Sequence, residues 1–311
     1  MNYYACVGFA VRDAAELARL AEQTARVGRP VGRDPALGLR MWSVGQGVEL
    51  WAEVGPREEA LGVLPFYDSG RDHLLSVVGC GADPDHPEEG WAEGWINPAE
   101  AEEPYSGAFP LVCDLVNYLA VAPFLDPLPR LVRARLTVFL HEARAFPDAL
   151  AVAEEALRAG FRLPPYTFAS TPYFSLDEPA APERPEATAV LSGRVVRAVL
   201  ETNPHTGIPF LVLSVDTGKV ILDTVAPPDL LPGIREEMFL QAGGWVLAKI
   251  PDLSGLTPRT GLPRPPSGRD GFPPPQTKAR SRTRPPPRSL KRARDCGQAG
   301  TPGSRGWESP C

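Results

Sequence analysis

Between residues 188 and 250, apolar runs rich in Val and Leu are separated by short polar, Gly-containing turns, which is typical of strands rather than helices. The first run in this stretch is long and rich in Val and Leu, and Gly193 marks a bulge or sharp bend within it. Three further runs follow, at residues 210–215, 219–225 and 239–250. Because Gly243 and Gly244 interrupt the last run, we expect it to form a closing hairpin.

A long bent strand, a meander and a closing hairpin suit a small closed barrel, because closure removes the exposed edges of a sheet. The commonest barrel with five strands is the oligonucleotide/oligosaccharide-binding (OB) barrel. Residues 188–253 resemble an OB fold by this pattern and not by any signature residue. We therefore predict an OB-like small β-barrel over residues 188–253.

The N-terminal part combines strand and helix patterns. Residues 3–11 are mostly apolar and predict a buried first strand. Asp13 and Glu16 have the spacing of a capping box, and a helix is predicted from there to a stop at Gly28. Four strands are predicted next, at residues 40–46, 48–54, 61–67 and 73–79. This β-α-β-β-β order predicts an α+β fold, a mixed sheet with one or two packed helices.

The stretch before the barrel is less regular. Residues 81–105 are polar and acidic, and they predict a surface excursion whose Trp91 and Trp95 fold back onto the body. Residues 131–143 fit both a strand face and a helical stripe, and we favour the strand. A strand at residues 109–117 and a helix at residues 148–158 are also predicted. No internal repeat is visible along the sequence.

Composition predicts the domain boundaries. Residues 1–178 form the predicted α+β domain, and residues 179–187 have the proline-rich composition of a linker. After the barrel, residues 254–311 combine many prolines and arginines with few large apolar side chains. Such a stretch buries too little apolar surface to offset the entropy of ordering, so we predict a disordered basic tail.

The formal net charge of −6 is unevenly distributed along the chain. Residues 1–256 carry 20 basic and 35 acidic side chains, whereas residues 257–311 carry 12 basic and 3 acidic ones. The acidic body disfavours nucleic acid at long range, while the basic clusters of the tail would neutralise phosphates. The tail is either a nucleic-acid-binding segment or the frameshifted read-through of a GC-rich gene, and both interpretations stay open.

Several features bear on the compartment. No run approaches the roughly eighteen apolar residues of a membrane span, and the first residues lack the basic region of a signal peptide. The five cysteines form no C-x-x-C pair, which argues against a disulfide framework or a zinc site. We predict a cytoplasmic protein without membrane association. The strong preference for arginine over lysine indicates a GC-rich bacterial genome.

Known catalytic motifs are incomplete in this chain. His141 and Glu142 begin like the zinc-protease motif, but position 145 is alanine, so the second histidine is missing. The acidic residues 83–89 resemble a calcium loop only in their carboxylates and are expected to form a solvated loop. Neither a G-x-S-x-G elbow nor a phosphate-binding glycine loop is present, so the sequence leaves open whether the protein is an enzyme.

A metal site follows only from analogy. A β-α-β-β-β unit is the repeat of the glyoxalase/dioxygenase-type metalloenzymes, whose metal ligands are His and Glu on such strands. By that analogy Glu49, His73 and His141 are the candidate metal ligands, although a second unit is not found. The cofactor stays unknown.

A binding site on the barrel has two candidate residues, Arg194 and Arg197. On a regular strand they lie on opposite faces, but a bulge would bring them together. Residues 188–250 carry five basic and six acidic side chains, so the predicted barrel lacks the basic face that binds nucleic acid.

Short stretches resemble a family. The motifs YYACVGF, GVELW, PFYDSG, TGIPFLVLSVDT, LDTVA and GGWVLAKI are similar to those of a group of uncharacterised bacterial proteins. The resemblance covers residues 1–250 and implies an α+β part followed by a small β-barrel, with no activity to transfer. The leading hypothesis is a non-catalytic protein whose OB-like module binds a protein or a small polar ligand. The alternatives are a metal-dependent enzyme and a protein that binds nucleic acid through barrel plus tail.

Overall fold

The computed structural model describes residues 2–31, 38–86, 88–100, 103–158, 164–173 and 184–252. Its α-helices are α1 (Ala14–Val27), α2 (Tyr118–Leu125) and α3 (Ala149–Arg158). Its first strands are β1 (Arg29–Pro30), β2 (Leu39–Gly45), β3 (Val48–Val54) and β4 (Ala60–Tyr67). The later strands are β5 (His73–Ala82), β6 (Gly90–Ile96), β7 (Phe109–Leu115), β8 (Arg130–Phe146), β9 (Thr167–Ser170), β10 (Thr188–Thr202), β11 (Pro209–Asp216), β12 (Ile221–Ala226) and β13 (Phe239–Lys249). The predicted mixture of helix and sheet is confirmed, and most of it is sheet.

The chain begins with a 3-10 helix, Tyr3–Val7, so the predicted strand at residues 3–11 is wrong. The Asn2 side chain accepts a hydrogen bond from the backbone of Tyr4, which caps this helix. Gly8 ends it with a φ of 75°, a left-handed conformation that favours glycine. The predicted cap of α1 is confirmed, since Asp13 Oδ1 accepts from the Glu16 backbone at 2.8 Å.

The N-terminal sheet has the strand order β1-β2-β3-β4, with antiparallel neighbours, and α1 packs against it. The predicted hairpin between β2 and β3 is confirmed. Its turn residues Gln46 and Gly47 have φ values of 49° and 78°, as a tight two-residue hairpin turn requires.

The remaining described strands form a second sheet that closes into two rings. Its centre is a ribbon in which β8 and β13 pair antiparallel, from Arg135 opposite Lys249 to Phe146 opposite Phe239. One ring runs β8-β5-β6-β7-β13, and the other runs β8-β12-β11-β10-β13. In each ring four strand pairs are antiparallel and one pair is parallel, β7 with β13 and β12 with β8. The two rings therefore share both strands of the ribbon.

The order of elements along the chain repeats once. The first repeat, residues 73–146, is the meander β5-β6-β7 followed by α2 and β8. The second repeat, residues 188–249, is the meander β10-β11-β12 followed by a 3-10 helix, Pro228–Leu230, and β13. The long last strand of each repeat completes the ring of the other. The sequence shows no internal repeat, so this repeat is one of element order and strand pairing only.

This closure changes the picture of the predicted barrel. Residues 188–253 supply four strands of the second ring, and β8 supplies the fifth, between β12 and β13. Strands from both sides of the predicted linker thus share one sheet, while the division into domains stays a prediction. Residues 239–249 form one strand with a register shift at Gly243 and Gly244, so the predicted closing hairpin is wrong.

Other elements between residues 81 and 158 were partly predicted. The strand interpretation of residues 131–143 and the helix at residues 148–158 are confirmed as β8 and α3. The prediction of a surface excursion at residues 81–105 is wrong, because β6 lies within this range and alternate residues of that strand are buried. The predicted tail, 254–311, and residues 179–183 of the predicted linker lie outside the described residues. Among the described helices, none has the length and apolar character needed to cross a membrane.

Candidate functional site

The loop that joins the two sheets, residues 68–72, carries several charged side chains. Asp68 contacts Lys249 and Arg135, and Asp72 also contacts Arg135. The Nε atom of Arg71 lies 3.0 Å from a carboxylate oxygen of Asp223. The short connection between β4 and β5 is thus attached by ion pairs to the shared ribbon and to the second ring.

Lys249 is the buried centre of these contacts, with 8% of its side chain exposed. Its Nζ donates to both carboxylate oxygens of Glu49, at 2.8 and 2.9 Å, and to Asp68. Trp51 Nε1 donates to the same Glu49 carboxylate at 3.0 Å. The Lys249 ammonium also lies 5.4 Å from the centre of the Phe66 ring. Burial of such a group is tolerated only because every charge has a partner.

The electrostatics of Asp68 follow from these neighbours. Burial on its own raises the pKa of this carboxyl group. The hydrogen bond and charge of Lys249, together with bonds from the Gly70 backbone and Arg135, outweigh burial and hold the pKa below its ordinary value. Asp68 therefore stays ionised at neutral pH.

Two buried aspartates occupy equivalent places in the two repeats. Asp114 lies on β7 opposite Leu247, and Asp223 lies on β12 opposite Thr137, in the parallel pair of each ring. Thr137 and Leu247 face each other in the ribbon, so the two aspartates are related by its approximate two-fold symmetry. Each repeat thus carries one buried aspartate beside the ribbon.

Each of these aspartates binds an arginine that precedes the first strand of the other repeat. Arg71 precedes β5 and binds Asp223, which also accepts from Ser214 and Ser69 at 2.6 Å each. Arg184 precedes β10, and its Nη2 lies 2.9 Å from Asp114. The pairs are reciprocal and join the repeats to each other.

An open cleft of about 670 Å³ lies beside the loop, between the β2–β3 turn and the end of β10. Its lining is mostly polar and consists of Gln46, Gly47, Tyr67, Asp68, Ser69, Arg197, Leu200, Glu201 and Thr202. Tyr67 donates its hydroxyl to Glu201 Oε1 at 3.3 Å, and Arg197 Nη2 lies 3.5 Å from the same oxygen. Among the described residues, no group donates to the other oxygen of Glu201, Oε2, which is buried.

Tyr67 keeps its proton over the whole physiological range. Burial, and then the negative charge of Glu201, raise the pKa of this phenol to about 12, against an opposing effect of Arg197. Tyr67 is therefore a hydrogen-bond donor that holds Glu201 in place.

The three candidate metal ligands lie in separate environments. Glu49 is the partner of Lys249, and Tyr3 is the neighbour of His141, with 3.5 Å between its hydroxyl and Nδ1. His73 is buried at the start of β5, and burial lowers the pKa of its imidazole. Across the described part of the chain, no cluster of three or more His, Cys, Asp or Glu side chains could hold a metal ion.

The two candidate arginines have different surroundings. The bulge that was considered possible in this strand is present, between Val195 and Arg197. Arg197 lines the cleft, whereas Arg194 pairs with Glu237 at 3.1 Å and lies 4.0 Å from Asp216. Only Arg197 therefore belongs to the candidate site.

Sequence reasoning missed Tyr67, Asp68, Glu201 and Lys249. One signal was available, because Lys249 is one of four lysines and follows the apolar run WVLA. A lysine at the end of a buried strand requires acidic partners, but the sequence does not identify them.

The comparisons with known proteins add little. No family model and no curated protein matches the chain. Among solved structures, it is similar to the wild-type single-stranded DNA binding protein from Thermus aquaticus, with 11% sequence identity and a TM-score of 0.20. The match covers 62% of this chain and 94% of that chain. A similarity at this TM-score supports no conclusion about the fold or function of this protein.

Proposed function

We propose that the protein is a non-catalytic binding protein that takes a small polar ligand in the cleft beside β10. In this proposal each ring of five strands is an OB-like barrel, and β10 belongs to the barrel of the second repeat. The ring arrangement supports this assignment, since a three-stranded meander is closed by two further strands through a single parallel pair.

The cleft is the observation that carries the proposal. It is concave, it is lined by charged and hydrogen-bonding groups, and it contains a buried carboxylate oxygen to which no described group donates. The volume of about 670 Å³ lies within the range of small-molecule sites, and the mostly polar lining suits a polar ligand. Buried polar atoms are usually hydrogen-bonded, so a ligand that donates to Glu201 would complete the site.

The hydroxyl groups of the lining support binding rather than catalysis. Ser69 donates to Asp223, and Arg71 donates to the same carboxylate oxygen. A carboxylate that is paired with a guanidinium is a weak base and activates a serine poorly. Tyr67 retains its proton, as described above, and serves as a donor.

The charge of the body argues against nucleic acid as the ligand. Residues 1–256 have 15 more acidic than basic side chains, and such a field repels phosphates. Inside the cleft, Asp68 and Glu201 would face an incoming phosphate beside the single guanidinium of Arg197. A ligand that carries hydrogen-bond donors fits better.

A panel of amino acids, sugars, polyamines and nucleosides tests the proposal by thermal unfolding and calorimetry of the full chain. We expect saturable binding of at least one compound, which at a hundred times its Kd stabilises the fold by about 2.7 kcal/mol. Leu200→Trp fills the cleft, and Leu150→Trp on α3 is the control. Both leucines are well exposed, at 60% and 67%.

Binding that is lost in Leu200→Trp and kept in Leu150→Trp supports the cleft as the site. If no compound of the panel binds, the proposal fails. It also fails if a single-stranded oligonucleotide binds the wild type at physiological salt and this binding is lost in Leu200→Trp.

A further inference from the structure

The hydrogen-bonding groups of the cleft differ in what they still offer to a ligand. Asp68 is saturated, because Oδ1 accepts from the Gly70 backbone and from Arg135, and Oδ2 accepts from Arg135 and Lys249. Ser69 is likewise engaged with Asp223. Among the charged groups of the lining, Glu201 and Arg197 are therefore the two left for a ligand.

Arg197 and Glu201 form a weak pair. They touch through one carboxylate oxygen at 3.5 Å, and 45% of the Arg197 side chain is exposed. A single long contact of a half-exposed arginine contributes little stability, in contrast to a two-bonded pair of guanidinium and carboxylate. A ligand can therefore displace the guanidinium from Glu201 at small energetic cost.

Opening this pair leaves two unlike charges side by side. A ligand with only an ammonium group would satisfy Glu201 and leave Arg197 without an acidic partner, and a ligand with only a carboxylate would pair with Arg197 and leave Glu201 without a cation. A zwitterion satisfies both, because its ammonium donates to Glu201 while its carboxylate takes two bonds from the guanidinium. Leu200 lines the same cleft with 60% of its side chain exposed, which offers an apolar surface next to these charges.

We infer that the cleft binds a zwitterionic α-amino acid with an aliphatic side chain, its ammonium on Glu201, its carboxylate on Arg197 and its side chain against Leu200. This inference rests on the proposed function, since it names the ligand class for the same cleft. Tyr67 is a positioning residue, because its hydroxyl keeps Glu201 Oε1 in place while the ligand uses Oε2.

Three related probes separate the two charges of the ligand. L-Leucine carries both charges, L-leucinamide carries only the ammonium, and N-acetyl-L-leucine carries only the carboxylate. By calorimetry on the full chain, we expect L-leucine to bind at least about tenfold more tightly than either derivative, because each loses one charged hydrogen-bonding group. Equal affinity for L-leucine and one derivative would overturn the inference.

Matched variants connect the affinity to the two side chains. Glu201→Gln and Arg197→Gln are each expected to weaken L-leucine binding by about tenfold or more. The control is Arg194→Gln, an arginine on the same strand whose acidic partners lie outside the cleft lining. We expect it to keep the wild-type affinity, and an equal loss in this control would contradict the assignment. A cooperative unfolding transition in all three variants shows that folding is preserved.

The results also separate this inference from the proposed function. If L-leucine does not bind but another compound of the panel binds and is excluded by Leu200→Trp, only the ligand class is wrong. If neither L-leucine nor any compound of the panel binds, both proposals fail.

Discussion

The two repeats have the same order of strands but very different surfaces at the end of their first strand. In the second repeat, the end of β10 lines the open cleft with Leu200, Glu201 and Thr202. In the first repeat, the end of β5 has glycine at positions 79 and 81, and the indole of Trp91 packs over Gly81. One repeat fills this surface with an aromatic ring, and the other leaves it open and polar.

The ribbon shows the same contrast. The approximate two-fold symmetry of the ribbon relates Thr137 on β8 to Leu247 on β13. Two residues further along each strand, it relates Phe139 to Lys249. Phe139 is fully buried and belongs to the hydrophobic core, whereas Lys249 anchors the ionic cluster that ties the ribbon to the N-terminal sheet. Both repeats therefore use the same strand order to build the core. The candidate site exists in the second repeat because a few equivalent positions carry different residues there.

The largest expected effect comes from removing the charge that distinguishes the second repeat. Lys249→Met leaves Glu49 buried without its cation, which should lower the free energy of unfolding by about 3–5 kcal/mol. Urea unfolding followed by circular dichroism measures the loss. Lys219→Met, at an exposed lysine, is the control and should change stability by less than about 0.5 kcal/mol. Equal stabilities for the two variants would show that the cluster is not a structural anchor.

A second test compares the two equivalent aspartates directly. Asp114→Asn should destabilise by about 3 kcal/mol, since Arg184 has only 15% of its side chain exposed and loses one of its three acidic partners, keeping Asp83 and Glu89. Asp223→Asn should cost about 1–3 kcal/mol, because Arg71 is 40% exposed and can return to water. The reverse order in urea unfolding would contradict the link between the exposure of the arginine and the strength of each pair.

The third effect is a pH dependence that arises at Tyr67 in the cleft. The pKa of Tyr67 is raised to about 12 from an ordinary value of 10.0, so the folded state holds this proton more tightly than the unfolded state. The resulting stabilisation is complete below about pH 10 and is lost as the pH rises towards about 12. Stability should fall more steeply in this window for the wild type than for Tyr67→Phe. Near-ultraviolet absorbance of the two proteins should differ by one late-titrating phenol, and parallel stability curves would refute the shift.

The smallest expected effect is at Arg194, the control of the binding experiment. Its contacts with Glu237 and Asp216 are partly exposed, so Arg194→Gln should change stability by no more than about 1 kcal/mol. A larger loss of stability in urea unfolding would show that the contacts of Arg194 with Glu237 and Asp216 contribute more than exposed ion pairs do.

Prediction from sequence succeeded where the determinants are local. The cap at Asp13, the turn at Gly47, the alternation in the first half of β8 and the apolar run of β11 each depend on residues a few positions apart. It failed for residues 3–7, where apolar side chains favour a strand but the tertiary contacts favour a 3-10 helix. Asn203, almost two hundred residues away, donates to the carbonyl of Val7 there.

The candidate site was least accessible to prediction. Arg197 was identified as a possible binding residue, but the acidic and aromatic groups around it come from β4, the loop 68–72 and the end of β10. Their positions depend on how the two sheets meet, which periodicity does not encode. Glu49 shows the same limit, because its residue type does not predict that it pairs with Lys249, two hundred residues away in the sequence.

The sequence by itself determined the local units of this protein: one capped helix, the hairpins, most of the strands and an acidic body. These units depend on hydrogen bonds between near neighbours and on the burial of one face, and such burial makes apolar residues recur at regular intervals in the sequence. Only the tertiary structure decided that β8 closes the second ring, that the two rings share the last strands of both repeats, and that Lys249 contacts Glu49 and Asp68. Such contacts join residues far apart in sequence, and their energy depends on complementary shape and charge that exists only once both partners are in place.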